Sequence, residues 1–352
     1  MEFGLSSEQT LLQDSINRFL SDNVPLDQVR RVANKDDSDA GVWQGLAELG
    51  IPGLLVPEAQ GGVGLSVMDA AIVAECLGYH VTPSPFISSS VIAVKALLTA
   101  GQDDLLGAIA TGEQRVGVAF SEAVGARADA GIKASGNKLS GKAIFVMDTY
   151  ADEYLVATND RHLYLVAADG VERKPLTTID KTRSTCELTF KKAEARLISD
   201  DPEVFLTALD TGRVIMAADT LGAAQCMIDQ AVAYAKQREQ FNRPIATFQA
   251  VKHMCAEMAA DLEPCRAMVW YASHALDHLP EEARLTACHT KAHLAEVGKG
   301  IAKTATEVHG GMGFTDLVGL HYWFKRIGFN RQILGAPEQL REEAARLQGL
   351  VA

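Results

Sequence analysis

Arg238-Glu239-Gln240-Phe241-Asn242-Arg243-Pro244-Ile245 stands between two long helical patterns, and the reading of the chain turns on it. Upstream, Val214 to Gln237 is apolar around much of its circumference, the pattern of a helix buried on several sides in a bundle or against another subunit. Downstream, Val251, Met254, Cys255, Met258, Leu262, Cys265, Val269, Ala272 and Leu276 recur at three- and four-residue steps and draw one apolar stripe. Pro264 lies inside that stripe and predicts a kink rather than a stop. The eight residues themselves place a guanidinium, an amide and an aromatic at a helix end, followed by a turn set by Pro244. Two readings fit them. One is a basic cap at the negative end of a helix macrodipole. The other is a fork-shaped cation for a pyrophosphate, with Phe241 as a wall beside the nucleotide.

Working outward, residues 1–112 carry a helical pattern broken at Gly50 to Pro52, at Gly61-Gly62-Val63-Gly64 and at Pro83 to Pro85. Residues 113–200 shift towards a period of two, with β-rich runs Val116 to Phe120, Leu139 to Met147, Glu153 to Thr158, His162 to Ala167 and Cys186 to Phe190. Residues 201–352 return to long helices. The expected architecture is therefore α+β: an N-terminal α-domain, a compact middle β-domain and a C-terminal helical bundle. That order is neither a Rossmann domain nor a TIM barrel.

Composition narrows the function. The 352 residues hold 45 acidic and 33 basic side chains, a net charge of −12, which argues against nucleic acid as a partner because phosphate binding needs a basic footprint. No apolar run reaches the roughly 18 residues of a membrane span, and the N-terminus has no basic leader, so a cytoplasmic protein is expected. The six cysteines fall in no paired spacing and read as reduced core residues.

His309-Gly310-Gly311-Met312-Gly313-Phe314 follows a helical pattern and reads either as a helix C-cap with a loop or as a backbone built for close approach to a ligand. His274 and His278, like His289 and His293, are four apart, but no Glu or Cys pair completes a metal site, and none is expected. No G-x-S-x-G elbow occurs, which disfavours an α/β-hydrolase.

Together, Glu48 to Glu58 (ELGIPGLLVPE), Gly61 to Ser66 (GGVGLS), the stretch from Ala235 to Gln249 and the glycine cluster after His309 resemble the acyl-CoA dehydrogenase family along essentially the whole chain. The resemblance implies a middle domain of β-barrel type, a C-terminal four-helix bundle and FAD at a subunit interface. It implies chemistry in which a glutamate takes the α-proton of an acyl-CoA while the β-hydride passes to the flavin. Carried over by position, Arg238, Gln240, Phe241, Gly310 and Gly311 would touch FAD belonging to a neighbouring subunit, and Arg213 would lie at the substrate. Glu307 replaces a glutamine common in the family.

Other departures concern the reaction itself. Where the family's glutamate precedes a Gly-Thr pair, this chain has Gly335, and where some members carry it on an earlier helix, this chain has Gly212 before Arg213. Loss of a positioned base typically costs about 10² to 10⁴ in rate. The middle domain departs too. Ser121-Glu122-Ala123-Val124-Gly125-Ala126-Arg127-Ala128-Asp129 replaces a Thr-Glu-Pro-Gly and Gly-Ser-Asp pattern, and Ile144-Phe145-Val146 replaces Trp-Ile-Thr under the flavin. The chain thus resembles the base-lacking subunits of heteromeric acyl-CoA dehydrogenases acting on steroid side-chain thioesters. The expected partners are an acyl-CoA, a catalytic subunit or a second copy, and an acceptor like electron-transfer flavoprotein. Two alternatives stand beside it: a self-sufficient enzyme with Asp210 or Glu338 as a displaced base, and a non-catalytic assembly protein.

Overall fold

The computed structural model describes residues 4–35, 37–125 and 131–351. The chain opens with helices α1 (Ser7–Asn23), α2 (Leu26–Ala33), α3 (Ala40–Glu48) and α4 (Val67–Tyr79), followed by a π-helical segment (Phe86–Ala93), α5 (Val94–Thr99) and α6 (Leu106–Ala110). Local chemistry sets the starts of α1 and α4. Ser6 with Gln9, and Ser66 with Asp69, form reciprocal capping boxes that satisfy backbone N–H groups otherwise left orphaned.

Strands follow: β1 (Val116–Ala119), β2 (Gly131–Ser135), β3 (Lys138–Met147), β4 (Glu153–Ala157), β5 (Leu163–Ala167), β6 (Glu172–Pro175), β7 (Thr185–Glu194) and β8 (Arg196–Ser199). They make one sheet in the order β6-β7-β3-β1-β4-β5-β8, with β2 on β3; β1 and β4 run parallel and the other pairs antiparallel. Its inward residues, among them Ile132, Leu139, Val146, Tyr154, Val156, Leu188 and Phe190, form a separate apolar core. The β3–β7 register slips between Ala143 and Val146, so Ile144 and Phe145 bulge out of the ladder, with Phe145 at φ 51°.

The C-terminal half comprises α7 (Pro202–Gln237), a two-stranded ribbon of β9 (Glu239–Gln240) and β10 (Arg243–Pro244), then α8 (Gln249–His278), α9 (Pro280–His309), α10 (His321–Gln332) and α11 (Pro337–Leu347). Asp201 caps α7 by accepting from the Glu203 N–H, and Pro202 occupies the first helical position, where its missing N–H costs nothing. At 36 residues α7 starts twelve before the expected apolar stretch and is buried along most of its length. The extension was hidden because Asp210, Thr211 and Arg213 interrupt the apolar pattern. Helix α8 continues through Pro264 as a single helix to His278.

Helices α4 and α7 cross at backbone distance. A Cβ on Gly78 would fall 2.0 Å from the Asp219 carbonyl oxygen, and one on Gly222 would fall 1.8 Å from that of Glu75. At this crossing lies a buried polar cluster. Asp219 accepts from Arg326 Nε (3.0 Å) and Asn330 Nδ2 (2.7 Å) and pairs with Arg183 (2.9 Å). Arg326 also donates to the Thr82 carbonyl. Burial opposes ionisation of Asp219, but Arg183 and Arg326 together hold its carboxyl below the ordinary value. The cluster joins α7, α10, the segment after α4 and the β6–β7 connection.

Candidate functional site

A cavity of about 890 Å³ opens between the sheet and the end of α10. The bulged Ile144 and Phe145, with Val124, Leu176 and Ile179, form one wall, and Phe329, Ile333, Leu334 and Gly335 form the other. Its polar lining is confined to Ser121, Thr177, Thr178, Gln332 and Gln339. No charged side chain borders it among the described residues.

Both positions that the family resemblance assigns to the base are glycine in this chain. Gly335 borders the cavity at φ 113°, a conformation that residues with a Cβ rarely adopt. Gly212 does not border it. A Cβ there would fall 2.6 Å from Ile92 Cδ1 and 3.0 Å from Leu334 Cδ1, so the ends of these side chains, from the π-helical segment and the α10–α11 loop, would have to shift to admit a larger residue.

The remaining candidates near the missing base are engaged elsewhere. Arg213 is 2% exposed and donates to Asp210 (3.0 Å), bidentately to Glu343 (3.1 and 2.9 Å) and, through Nε, to the Leu334 carbonyl (3.0 Å). The guanidinium of Arg213, the residue expected at the substrate, thus pins the loop that carries Gly335. Asp210 accepts from Arg213 on one oxygen and from Arg284 on the other (3.0 Å). Burial pushes its carboxyl up while both arginines oppose that shift, and it does not reach the cavity. Glu338 is exposed at the start of α11, pairs with Arg331 (3.0 Å) and also lies off the cavity wall. Neither carboxylate borders the cavity.

The Arg238 stretch folds into the β9–β10 ribbon. Its turn is made by Phe241 (φ 53°) and Asn242 (φ 60°), not by Pro244, because two consecutive left-handed residues give the hairpin turn whose twist matches its strands. Asn tolerates that conformation; Phe does so at a cost. Phe241 is 85% exposed, its ring 6.1 Å from that of Phe248, and Arg243 lies 4.0 Å over the Phe248 face. Arg238 and Gln240 are exposed as well.

Helix α9 ends at Gly310 (φ 58°, ψ −138°), and neither Gly310 nor Gly311 would place a Cβ within 4 Å of other atoms, so this turn faces open space. Gly313 is different: a Cβ there would fall 2.8 Å from the Thr306 carbonyl oxygen, so this glycine serves packing. His309 is buried and stacks on Tyr234, ring centroids 4.7 Å apart. Tyr234 lies one turn before Arg238 and His309 immediately precedes Gly310, so two motifs about seventy residues apart in sequence share one end of the bundle. The stacking pair carries no sequence signal of its own.

Val146 is fully buried in the sheet core and does not face the cavity, where Ile144 and Phe145 stand instead. The register slip was invisible in a β-rich run. Glu122 is buried and accepts from the Ile144 N–H (3.1 Å). Ala126, Arg127, Ala128 and Asp129 lie outside the described residues. Sequence reasoning also passed over Lys291, buried on α9, whose ammonium donates to the Asn330 carbonyl (2.5 Å) at the end of α10. Its neighbours in sequence gave no hint of its burial.

Comparison with known proteins agrees with this architecture. The family model for the acyl-CoA dehydrogenase N-terminal domain matches residues 6–113, and that for the C-terminal domain matches residues 203–348. The acyl-CoA dehydrogenase IpdE2 of Mycolicibacterium smegmatis is 28% identical over 96% of this chain and 98% of its own length, and IpdE2 of Mycobacterium tuberculosis is 29% identical over 95% of each. Among solved structures, a Tcur3481–Tcur3483 steroid acyl-CoA dehydrogenase variant is 28% identical with a TM-score of 0.88, covering 97% of this chain and 98% of that one. The ChsE4–ChsE5 complex of Mycobacterium tuberculosis, 24% identical over the whole of both chains, shares the fold with a TM-score of 0.91. With matching models at both ends and the same three-part architecture, the chain belongs to the acyl-CoA dehydrogenase family of FAD-dependent oxidoreductases acting on CH–CH bonds.

Proposed function

We propose that this chain is one subunit of a heteromeric acyl-CoA dehydrogenase, supplying the nucleotide side of an FAD site whose ring and catalytic glutamate belong to a partner chain. The observation that carries the reading is the contrast between two ends of the molecule. Among the described residues the chain's own cleft has no charged lining and a glycine at both expected base positions, while Arg238, Gln240 and Phe241 stand exposed near the open turn at Gly310 and Gly311.

FAD, when bound, supplies the hydride acceptor for α,β-dehydrogenation. The residues fit its diphosphate better at the hairpin than in the cleft. Arg238 offers a fork of donors, Gly310 and Gly311 leave room for a backbone approach, and Phe241 presents an apolar face to a base or ribose. Support also comes from relatives whose descriptions pair two chains, Tcur3481–Tcur3483 and ChsE4–ChsE5, the first of them a steroid enzyme. The corresponding substrate is a bulky acyl-CoA thioester.

The test is co-expression with a glutamate-bearing family member. The pair should purify together, carry flavin absorbance and oxidise an acyl-CoA, whereas this chain alone should be colourless and inert. Full flavin loading and turnover by the single chain would overturn the proposal.

A further inference from the structure

The end of α10 and the loop after it form one wall of the cleft, where Phe329, Gln332, Ile333, Leu334 and Gly335 follow one another. Leu334 (φ 61°) and Gly335 (φ 113°) are consecutive residues in the positive-φ region, and a leucine stays there only where its surroundings over-determine it. We propose that Lys291, on α9, is the positioning residue of this wall: its side chain clamps the last carbonyls of α10 and so fixes where the loop begins.

The last four carbonyls of a helix have no partner within it. In α10, that of Phe329 accepts from the Ile333 N–H (3.1 Å), while those of Asn330 and Arg331 accept from Lys291 Nζ (2.5 and 3.5 Å). Beyond Ile333, Arg213 Nε reaches the Leu334 carbonyl (3.0 Å), so side chains from α9 and α7 grip the main chain on both sides of that residue. The Asn330 side chain, bonded to Asp219 (2.7 Å) and Thr220 (3.1 Å), ties the body of α10 to α7. Lys291 therefore acts on the last turn, the part that continues into the cleft wall.

The amine is buried, and desolvation, reinforced by Arg213 on α7 and Arg331 on α10, brings it down to about 7. The other charged groups of the surrounding helices are engaged with one another. Asp210 (α7) and Glu343 (α11) pair with Arg213, Glu296 (α9) and Glu338 (α11) with Arg331, Asp219 (α7) with Arg326 and Arg183, and Arg266 (α8) with Glu75. Cys288, one turn earlier on α9, stays neutral because burial pushes its thiol up to about 12. The closed wall thus favours the neutral amine, which keeps two N–H donors for the two carbonyls. Lifting the end of α10 hands the amine to water, where a lysine holds its proton up to about pH 10.4. Opening of the wall is thereby coupled to uptake of a proton: above about pH 7 it becomes harder as pH rises, and below that value it no longer changes.

Amide hydrogen exchange of the full chain, corrected for the intrinsic rate at each pH, tests this in residues 329–336. Protection there should rise about tenfold or more between pH 7.5 and pH 9.5, since one coupled proton contributes up to about tenfold per pH unit, while protection of α1 stays unchanged. In Lys291→Met, which fills the space but donates nothing, protection of this segment should be about two- to tenfold lower than wild type at pH 9.5 and flat across the range. A flat wild-type profile overturns the proposal. So does a pH dependence that survives in Lys291→Met, or equal protection of the two chains at pH 9.5. A change of the same size in α1 and in the other helices overturns it as well, because Lys291 then supports the core as a whole and not this wall. Neither FAD nor a partner chain enters the measurement, so its outcome is independent of the subunit proposal.

Discussion

His309 stacks face to face on Tyr234, with ring centroids 4.7 Å apart and planes inclined by 27°. This contact locks the C-terminal end of α9 against the last turns of α7. The glycine turn and the aromatic hairpin therefore keep a fixed mutual position, without needing a ligand to organise them. A preorganised site loses less entropy on binding. Tyr234→Ala should accordingly lower flavin retention in the heteromer by about tenfold, with Tyr234→Phe near wild type; flavin-to-protein absorbance ratios after dialysis measure both.

Arg238 is exposed, so its removal tests binding with little interference from folding. Hydrogen bonds to charged groups contribute about 1.5 to 3 kcal/mol. Arg238→Ala should thus weaken FAD binding by roughly 10- to 100-fold while the melting temperature of the chain alone stays unchanged. Equal flavin content in mutant and wild-type heteromers would remove this arginine from the site.

Phe241 combines an exposed ring with a left-handed backbone, which costs of order 1 kcal/mol or more for a residue with a Cβ. Phe241→Gly should raise the chain's own stability by about 0.5 to 1 kcal/mol and at the same time reduce flavin content. Opposite signs in a denaturant titration and an absorbance scan are the signature of a residue kept for binding rather than folding.

Restoring a glutamate should not restore a base. Gly212→Glu drives a side chain into Ile92 and Leu334, and Gly335→Glu places one on a backbone at φ 113°. Overpacking and backbone strain of this kind cost about 1 to 3 kcal/mol each. Both variants should melt lower and show no acyl-CoA oxidation by the chain alone in a dye-reduction assay. Asp210→Asn should behave as a stability mutant too, losing about 3 to 5 kcal/mol because Arg213 and Arg284 lose their shared carboxylate.

Lys291 makes the stability depend on pH. Burial, reinforced by Arg213 and Arg331, brings its ammonium down to about 7, against an ordinary lysine value near 10.4. Between these values the unfolded chain binds the proton and the folded chain does not, so this residue makes stability rise with pH through that window. Below about pH 7 both states are protonated and the burial penalty is present in full. Lys291→Met should flatten the difference between denaturation midpoints measured at pH 6.5 and pH 9.5.

The division into helices, strands and helices was legible because apolar spacing reports burial directly, as in the Val251 to Leu276 stripe of α8. Its failures were local. The turn at Phe241 was assigned to Pro244 because an aromatic at positive φ contradicts propensity, and such contradictions tend to mark binding sites. The first third of α7 was missed because its charged residues meet their partners from α9 and α11, beyond the reach of any periodicity. Arg213 was placed at the substrate by its position in the family pattern, and such a pattern does not show that Glu343, 130 positions later, pairs with it.

The crossing of α4 and α7 at Gly78 and Gly222 has a consequence for dissection of this chain. Each helix lies against the other's main chain with no side chain between them at these points. A fragment beginning at α7 would expose a bare strip of peptide groups and small residues that no rearrangement of its own side chains can cover, and would tend to self-associate. Limited proteolysis should therefore release surface loops before it separates the two halves. Complementation of the halves in trans, if they are expressed as separate polypeptides, would depend on regaining this seam.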